Sequence, residues 1–165
     1  MGAITRWIET VNQSVGNWSS LVYLVVFAVT VYDVAARYFF NAPTIWGLEL
    51  VIALAGIHYM LAGAAAVKND AHVRIDFIYR LLSPRTQLVM TLLAHLLSLL
   101  FLGAIVYYGI QQAETSFMGG ERTGAGWNSR APMWMKLAIP VGAALMVLQI
   151  LINFARTFRE LRRVR

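Results

Sequence analysis

Residues 86–113 read TQLVMTLLAHLLSLLFLGAIVYYGIQQA and contain no Asp, Glu, Lys or Arg. A helix rises ~1.5 Å per residue, so about 20 apolar residues cross the ~30 Å hydrocarbon layer of a bilayer. This stretch is long enough with a turn or two to spare. Working outward from it, residues 10–32, 50–67 and 137–155 are equally free of those four residue types, and nearly every charge lies in the short segments between. The pattern predicts an all-α integral membrane protein whose spans cover about 18–36, 46–67, 86–110 and 133–154. Four spans in 165 residues leave almost no chain for a soluble domain, so residues 1–165 read as one membrane domain.

Composition agrees with that reading. Hydrophobic residues make up 59% and charged ones 13%, about half the ~25% charged share of soluble domains. A net charge of +6 would suit nucleic acid, but Arg156, Arg159, Arg162, Arg163 and Arg165 crowd the last ten residues, directly after the fourth span. A basic tail over 156–165 is what the positive-inside rule and anionic lipid account for, so membrane lipids and not nucleic acid are the expected partners. The chain has no cysteine, which removes disulfides, thiolate metal sites and thiol chemistry.

The segments between spans carry their own signals. Trp7, Ile8 and Val11 alternate with Arg6, Glu9 and Asn12, spacing that predicts a short interfacial helix within 1–17. The first apolar run is too long for the ~7–15-residue core of a signal peptide, which predicts a retained first helix. Val73, Ile75, Phe77, Ile78, Leu81 and Leu82 alternate with Arg74, Asp76 and Arg80, predicting a second interfacial helix over about 70–82 that Ser83-Pro84 stops. Gly119, Gly120, Gly124 and Gly126 mark 111–132 as an irregular loop. Lys68, Arg74, Arg80 and Arg85 weight the second connector, against Arg37 in the first and Arg122 and Arg130 in the third. Both termini and the second connector are therefore expected on the cytoplasmic side.

Few residues are placed for chemistry. His58 lies nine residues before Val67 and His95 nine residues after Thr86, so both are expected ~13 Å from the inner boundary. Two histidines at one depth on neighbouring helices could ligate a haem, as in the membrane anchor of a respiratory complex. The alternative is that each donates to a carbonyl or hydroxyl of a neighbouring helix. Asp33 and Arg37 are spaced i,i+4 near the outer end of the first span, which predicts a structural ion pair; no deeper carboxylate continues a proton relay. Glu49 opens the second span, where a negative side chain complements a helix N-terminus. Trp46, Trp127 and Trp134 are expected at the outer surface, Trp7 and Trp18 at the inner one. Small residues in 62–66 and 142–144 mark close-packing faces. There is no P-loop, HExxH, GxSxG or dinucleotide fingerprint, so no enzyme activity, cofactor or metal site is expected.

Arg37-Tyr38-Phe39-Phe40, followed by Pro43, Ile45-Trp46 and Glu49, resembles the start of the small, four-helix permease subunit of tripartite ATP-independent periplasmic (TRAP) transporters, the DctQ type. That family shows Arg-Tyr-x-Phe, a proline, then Trp and one or two Glu. Glu49 matches the second acidic position, while Leu48 stands where the first is often Glu. The run His72-Val73-Arg74-Ile75-Asp76 is similar to the family's cytoplasmic connector, and Pro132, Trp134, Pro140, Gly142 and Gln149 to its fourth helix. The resemblance covers about residues 20–150. It implies a non-catalytic subunit in the bacterial inner membrane that packs against and scaffolds a large elevator subunit. That large subunit carries the substrate and sodium sites and works with a periplasmic protein that captures an organic acid. On that basis Arg37, Tyr38, Trp46, Glu49, His72, Arg74, Asp76 and Trp134 are the candidate subunit-interface residues.

Overall fold

The computed structural model describes residues 3–69, 79 and 81–163, and those residues form five helices: α1 (Ala3–Ser20), α2 (Val22–Phe40), α3 (Gly47–Lys68), α4 (Pro84–Met118) and α5 (Ala131–Arg163). Counting α1 and α2 as one rod, four helical stretches are long and apolar enough to cross a membrane. Most of the 70–82 segment, including His72, Arg74 and Asp76, lies outside the described residues.

Local chemistry sets the breaks. Between α1 and α2, Leu21 keeps helical angles, but Leu21 N–H bonds to the Trp18 carbonyl and Leu24 N–H to Leu21, each at 3.1 Å. The Ser20 hydroxyl takes the Asn17 carbonyl at 2.6 Å. A serine bonding back onto its own helix competes with the backbone ladder and bends it. Asn41 closes α2 in the left-handed conformation at φ 50°, and the Ala42 N–H returns to the Ala36 carbonyl at 3.0 Å; asparagine is the side chain most at ease there after glycine. At α4, Ser83 is extended and its hydroxyl accepts the Thr86 N–H at 3.3 Å, with Pro84 in the first turn. The Ser-Pro pair therefore starts α4 as a capped helix.

The helices stand in a row. α4 packs on α5, α5 on α3, and α3 on α1 and α2, while α1 also touches α5. α1 and α2 together run antiparallel to α3 in one register: Gln13 meets Lys68, Gly16 meets Ala65, Tyr23 meets His58 and Asp33 meets Gly47. The break at Leu21 does not interrupt it. α5 is the central helix and has Met133, Ala138, Ala143 and Ile150 buried along its length.

Glycine lets the backbones approach where the row is tightest. A Cβ on Gly142 of α5 would run into the carbonyl of Met60 on α3, and one on Gly109 of α4 would lie 3.2 Å from the Pro140 ring. Small residues at such crossings are how helices gain contact where lipid removes any hydrophobic drive to associate. Large apolar side chains face outward, among them Phe27, Leu97 and Phe101. An apolar exterior of this extent belongs in hydrocarbon.

Two helices exceed their expected spans. α4 runs to Met118, eight residues past 110, and α5 to Arg163, so the basic segment is helical. α1 is tied to the other helices by part of its polar face: Glu9, Asn12 and Gln13 pair with Arg156, Gln149 and Lys68.

Candidate functional site

The ordered polar groups gather at the two ends of the row. At the end carrying residues 41–46 and 119–130, Asp33 binds with both oxygens. Oδ2 accepts from Arg37 Nη2 at 2.8 Å, and Oδ1 accepts from the Thr44 N–H at 2.9 Å and the Thr44 hydroxyl at 2.5 Å. The Thr44 hydroxyl in turn accepts the Gly47 N–H at 3.2 Å. One carboxylate therefore ties the end of α2, the turn and the start of α3 together. Arg37 is the more exposed partner, with 55% of its side chain accessible against 18% for Asp33.

Glu49 reaches across to the third connector. Its Oε2 accepts from the hydroxyls of Thr123 and Ser129, each at 2.8 Å, and its Oε1 accepts the Trp127 N–H at 3.2 Å. The connector can present those groups because Gly124 and Asn128 turn it at positive φ, with the Gly124 N–H on the Asn128 side-chain oxygen at 3.3 Å. Glu49 stands in the first turn of α3, where its charge complements the helix end, and the described contacts make it an anchor for a distant loop as well. Beside it, Lys136 of α5 lies 2.5 Å from Glu121, which also accepts the Ser116 hydroxyl at 2.6 Å. The Lys136 ammonium and that hydroxyl hold the Glu121 carboxyl below the ordinary carboxylate range.

At the opposite end, Asn12 and Gln149 are fully buried and joined at 2.9 Å. Gln149 continues to Asn153 at 3.3 Å, and Asn153 to the Val67 carbonyl at 3.5 Å. Lys68 donates to Gln13 at 3.1 Å, and Arg156 forms a short ion pair with Glu9. These links bind α1 to α3 and α5. Asn12, Gln149, Asn153, Thr44 and the Glu9–Arg156 pair were not singled out from the sequence for these contacts. Apart from the i,i+4 step from Gln149 to Asn153, the partners lie eleven or more residues apart, and only i,i+3 and i,i+4 spacings show on a helix in isolation.

The histidines do not meet. α5 stands between α3 and α4; Gly109 of α4 lies against Pro140 of α5, and two residues further along α5 Gly142 lies against Met60 of α3. His58 is therefore about level with Gly109, while His95 lies fourteen residues further toward the terminal end, ~21 Å away along the axis. The matching depths expected from sequence assumed that Val67 and Thr86 mark one boundary. In the structure α4 begins well beyond the end of α3, so one haem iron cannot take both rings. His58 is buried and instead meets the Tyr23 ring edge-on, centroids 4.4 Å apart.

Of the remaining motif residues, Trp46 is half-buried and stacks on Tyr32 at 6.1 Å, while Tyr38 and Trp134 are exposed, Trp134 edge-on to Phe117 at 5.9 Å. Among the described residues no group of three or more His, Asp or Glu converges to hold a metal. The arrangement anchors connectors and fixes helices.

The described residues, with four membrane-length helical rods and polar clasps at both ends, define a multi-span helical membrane protein. Residues 26–160 match the family described as "Tripartite ATP-independent periplasmic transporters, DctQ component", and the chain belongs to that family. It is 30% identical over 120 residues to the sialic acid TRAP transporter small permease protein SiaQ of Vibrio cholerae, a match covering 73% of this chain and 67% of that one. It is also 25% identical over 136 residues to the sialic acid TRAP transporter permease protein SiaT of Haemophilus influenzae, covering 80% of this chain and 21% of that protein.

Proposed function

We propose that this chain is the small, non-catalytic membrane subunit of a sodium-coupled TRAP-type secondary transporter for organic acids in the bacterial inner membrane. It packs against the large elevator subunit and acts as its scaffold, and a periplasmic protein delivers the substrate. The observation that carries this reading is the family match over residues 26–160, joined to a helix row with no reaction centre among the described residues. The Haemophilus relative supports a large partner, because four-fifths of that permease has no counterpart in the match. Arg37, Tyr38 and Trp134 are the motif residues whose side chains face outward and are assigned to the subunit interface, with His72, Arg74 and Asp76 on the cytoplasmic connector. Trp46 and Glu49 support that surface from within.

Affinity capture of the tagged chain from native membranes, followed by uptake assays in proteoliposomes, tests the proposal. A larger membrane subunit should co-purify, and uptake of an organic acid should require that subunit, the binding protein and an inward sodium gradient. Recovery of this chain alone as a monodisperse species that transports unaided would overturn it.

A further inference from the structure

A pocket of about 730 Å³ opens between the end of α4 and the start of α5, beside the Ser116–Glu121–Lys136 contacts and away from the Asp33 and Glu49 clasps. Tyr108, Gln111, Gln112 and Thr115 line it from α4, with Glu121 and Lys136 opposite. Lys136 and the Ser116 hydroxyl both donate to the same oxygen of Glu121, Oε2. The carboxylate and the ammonium both line the pocket, together with the exposed residues Gln111 and Gln112. The charges form a dipole: a cationic donor and an anionic acceptor side by side, with no net charge. A strongly anionic ligand would meet Glu121 as well as Lys136. A ligand carrying an anion and an ammonium a few bonds apart satisfies both.

The surroundings say where such a ligand comes from. Along α4, Leu97, Phe101, Tyr108, Gln112 and Thr115 follow one another at helical spacing on one side, and Leu97, Phe101 and Tyr108 are strongly exposed. The stripe from Leu97 to Tyr108 is ~16 Å long at ~1.5 Å per residue, about one leaflet of a ~30 Å hydrocarbon layer. A polar pocket at the head of an apolar track one leaflet long has the shape of a phospholipid.

We propose that this pocket seats the headgroup of a zwitterionic, ethanolamine-type phospholipid, with its phosphate on Lys136 and the α4 amides, its ammonium on Glu121, and its acyl chains along Leu97, Phe101 and Tyr108. The assignment is independent of the transport reading, since it needs only that α4 spans the bilayer.

The test uses the full chain, purified in mild detergent with whatever subunits accompany it. It is exchanged into nanodiscs of equal parts phosphatidylethanolamine and phosphatidylglycerol, and retained lipid is counted by native mass spectrometry. A charge-assisted hydrogen bond amounts to roughly a tenfold factor in affinity, so the wild type should hold phosphatidylethanolamine about tenfold over phosphatidylglycerol. Glu121→Gln, which keeps the acceptor for Ser116 and Lys136, should bring the two lipids near parity, whereas Lys136→Met should lower the retention of both, since both carry the phosphate. Equal retention by the wild type, a preference that survives Glu121→Gln, or undiminished retention in Lys136→Met would overturn the proposal. So would displacement of the lipid by soluble phosphoethanolamine at equal concentration, which would mean that the apolar track contributes nothing.

Discussion

Asp33 has one oxygen on an exposed guanidinium and the other on the backbone and side chain of Thr44. The i,i+4 spacing makes Arg37 legible from sequence as a partner, but Thr44 lies eleven residues on, beyond Pro43, where no periodicity points. The consequence is an asymmetry. Arg37→Ala removes one exposed contact, and surface pairs of that kind contribute little. Asp33→Ala frees the turn as well, so it should lower the yield of folded protein and of any complex more than Arg37→Ala does, and adding Arg37→Ala should recover little. Asp33→Asn keeps an oxygen for Thr44 and should assemble near the wild-type level; loss of transport in that variant with assembly intact would instead mark Asp33 as a proton carrier. Glu121 makes a separate claim about pH. Its carboxyl is held low by Lys136 and Ser116, so the stabilisation is fully present above the ordinary glutamate value of ~4.3 and is lost as pH falls through the lowered one. Thermal unfolding followed from pH ~7 to ~3 should show an acid-induced loss that is smaller in Glu121→Gln.

At the scale of elements, α3 and α5 meet where Gly142 faces the Met60 carbonyl. A methyl group there collides with backbone, which cannot rotate away as a side chain does. Gly142→Ala should therefore destabilise the protein by about 1–3 kcal/mol, the usual cost of overpacking. Gly103, whose added Cβ would meet nothing within 4 Å, is the control: Gly103→Ala should leave the unfolding temperature unchanged or slightly raised. A collapse in both variants would mean that helix flexibility, and not the crossing, is at stake. The existence of each helix was legible because uncharged runs of this length have few other uses. Their ends were not. Charge marks where a helix leaves hydrocarbon, not where its hydrogen bonding stops, so Glu114 in α4 and Arg156 in α5 hid another two turns of each. The same confusion set His58 and His95 at one depth. The place of Glu49 in the first turn of α3 was legible, but its second role as a loop anchor was not, because partners more than seventy residues away leave no trace in local spacing.

For the whole molecule, a row has two broad faces where a closed bundle has none, and the apolar residues on them suit lipid and a large partner alike. Charge distinguishes the two ends of the row. The terminal end carries Arg6, Lys68, Arg85, Arg156, Arg159, Arg162 and Arg163, while the connector end carries Arg37, Arg122, Arg130 and Lys136, of which Arg37 and Lys136 are paired with acids. Positive residues close to span ends are retained on the cytoplasmic side during insertion, so the terminal end should lie inside. The chain has no cysteine of its own, and two exposed positions outside every clasp report on the two ends: Ala125 in the third connector and Arg159 near the end of α5. In intact spheroplasts a membrane-impermeant maleimide should label Ala125→Cys at once and Arg159→Cys only after permeabilisation. The reverse pattern would invert the topology and place the Glu49-anchored connector in the cytoplasm, out of reach of any periplasmic partner.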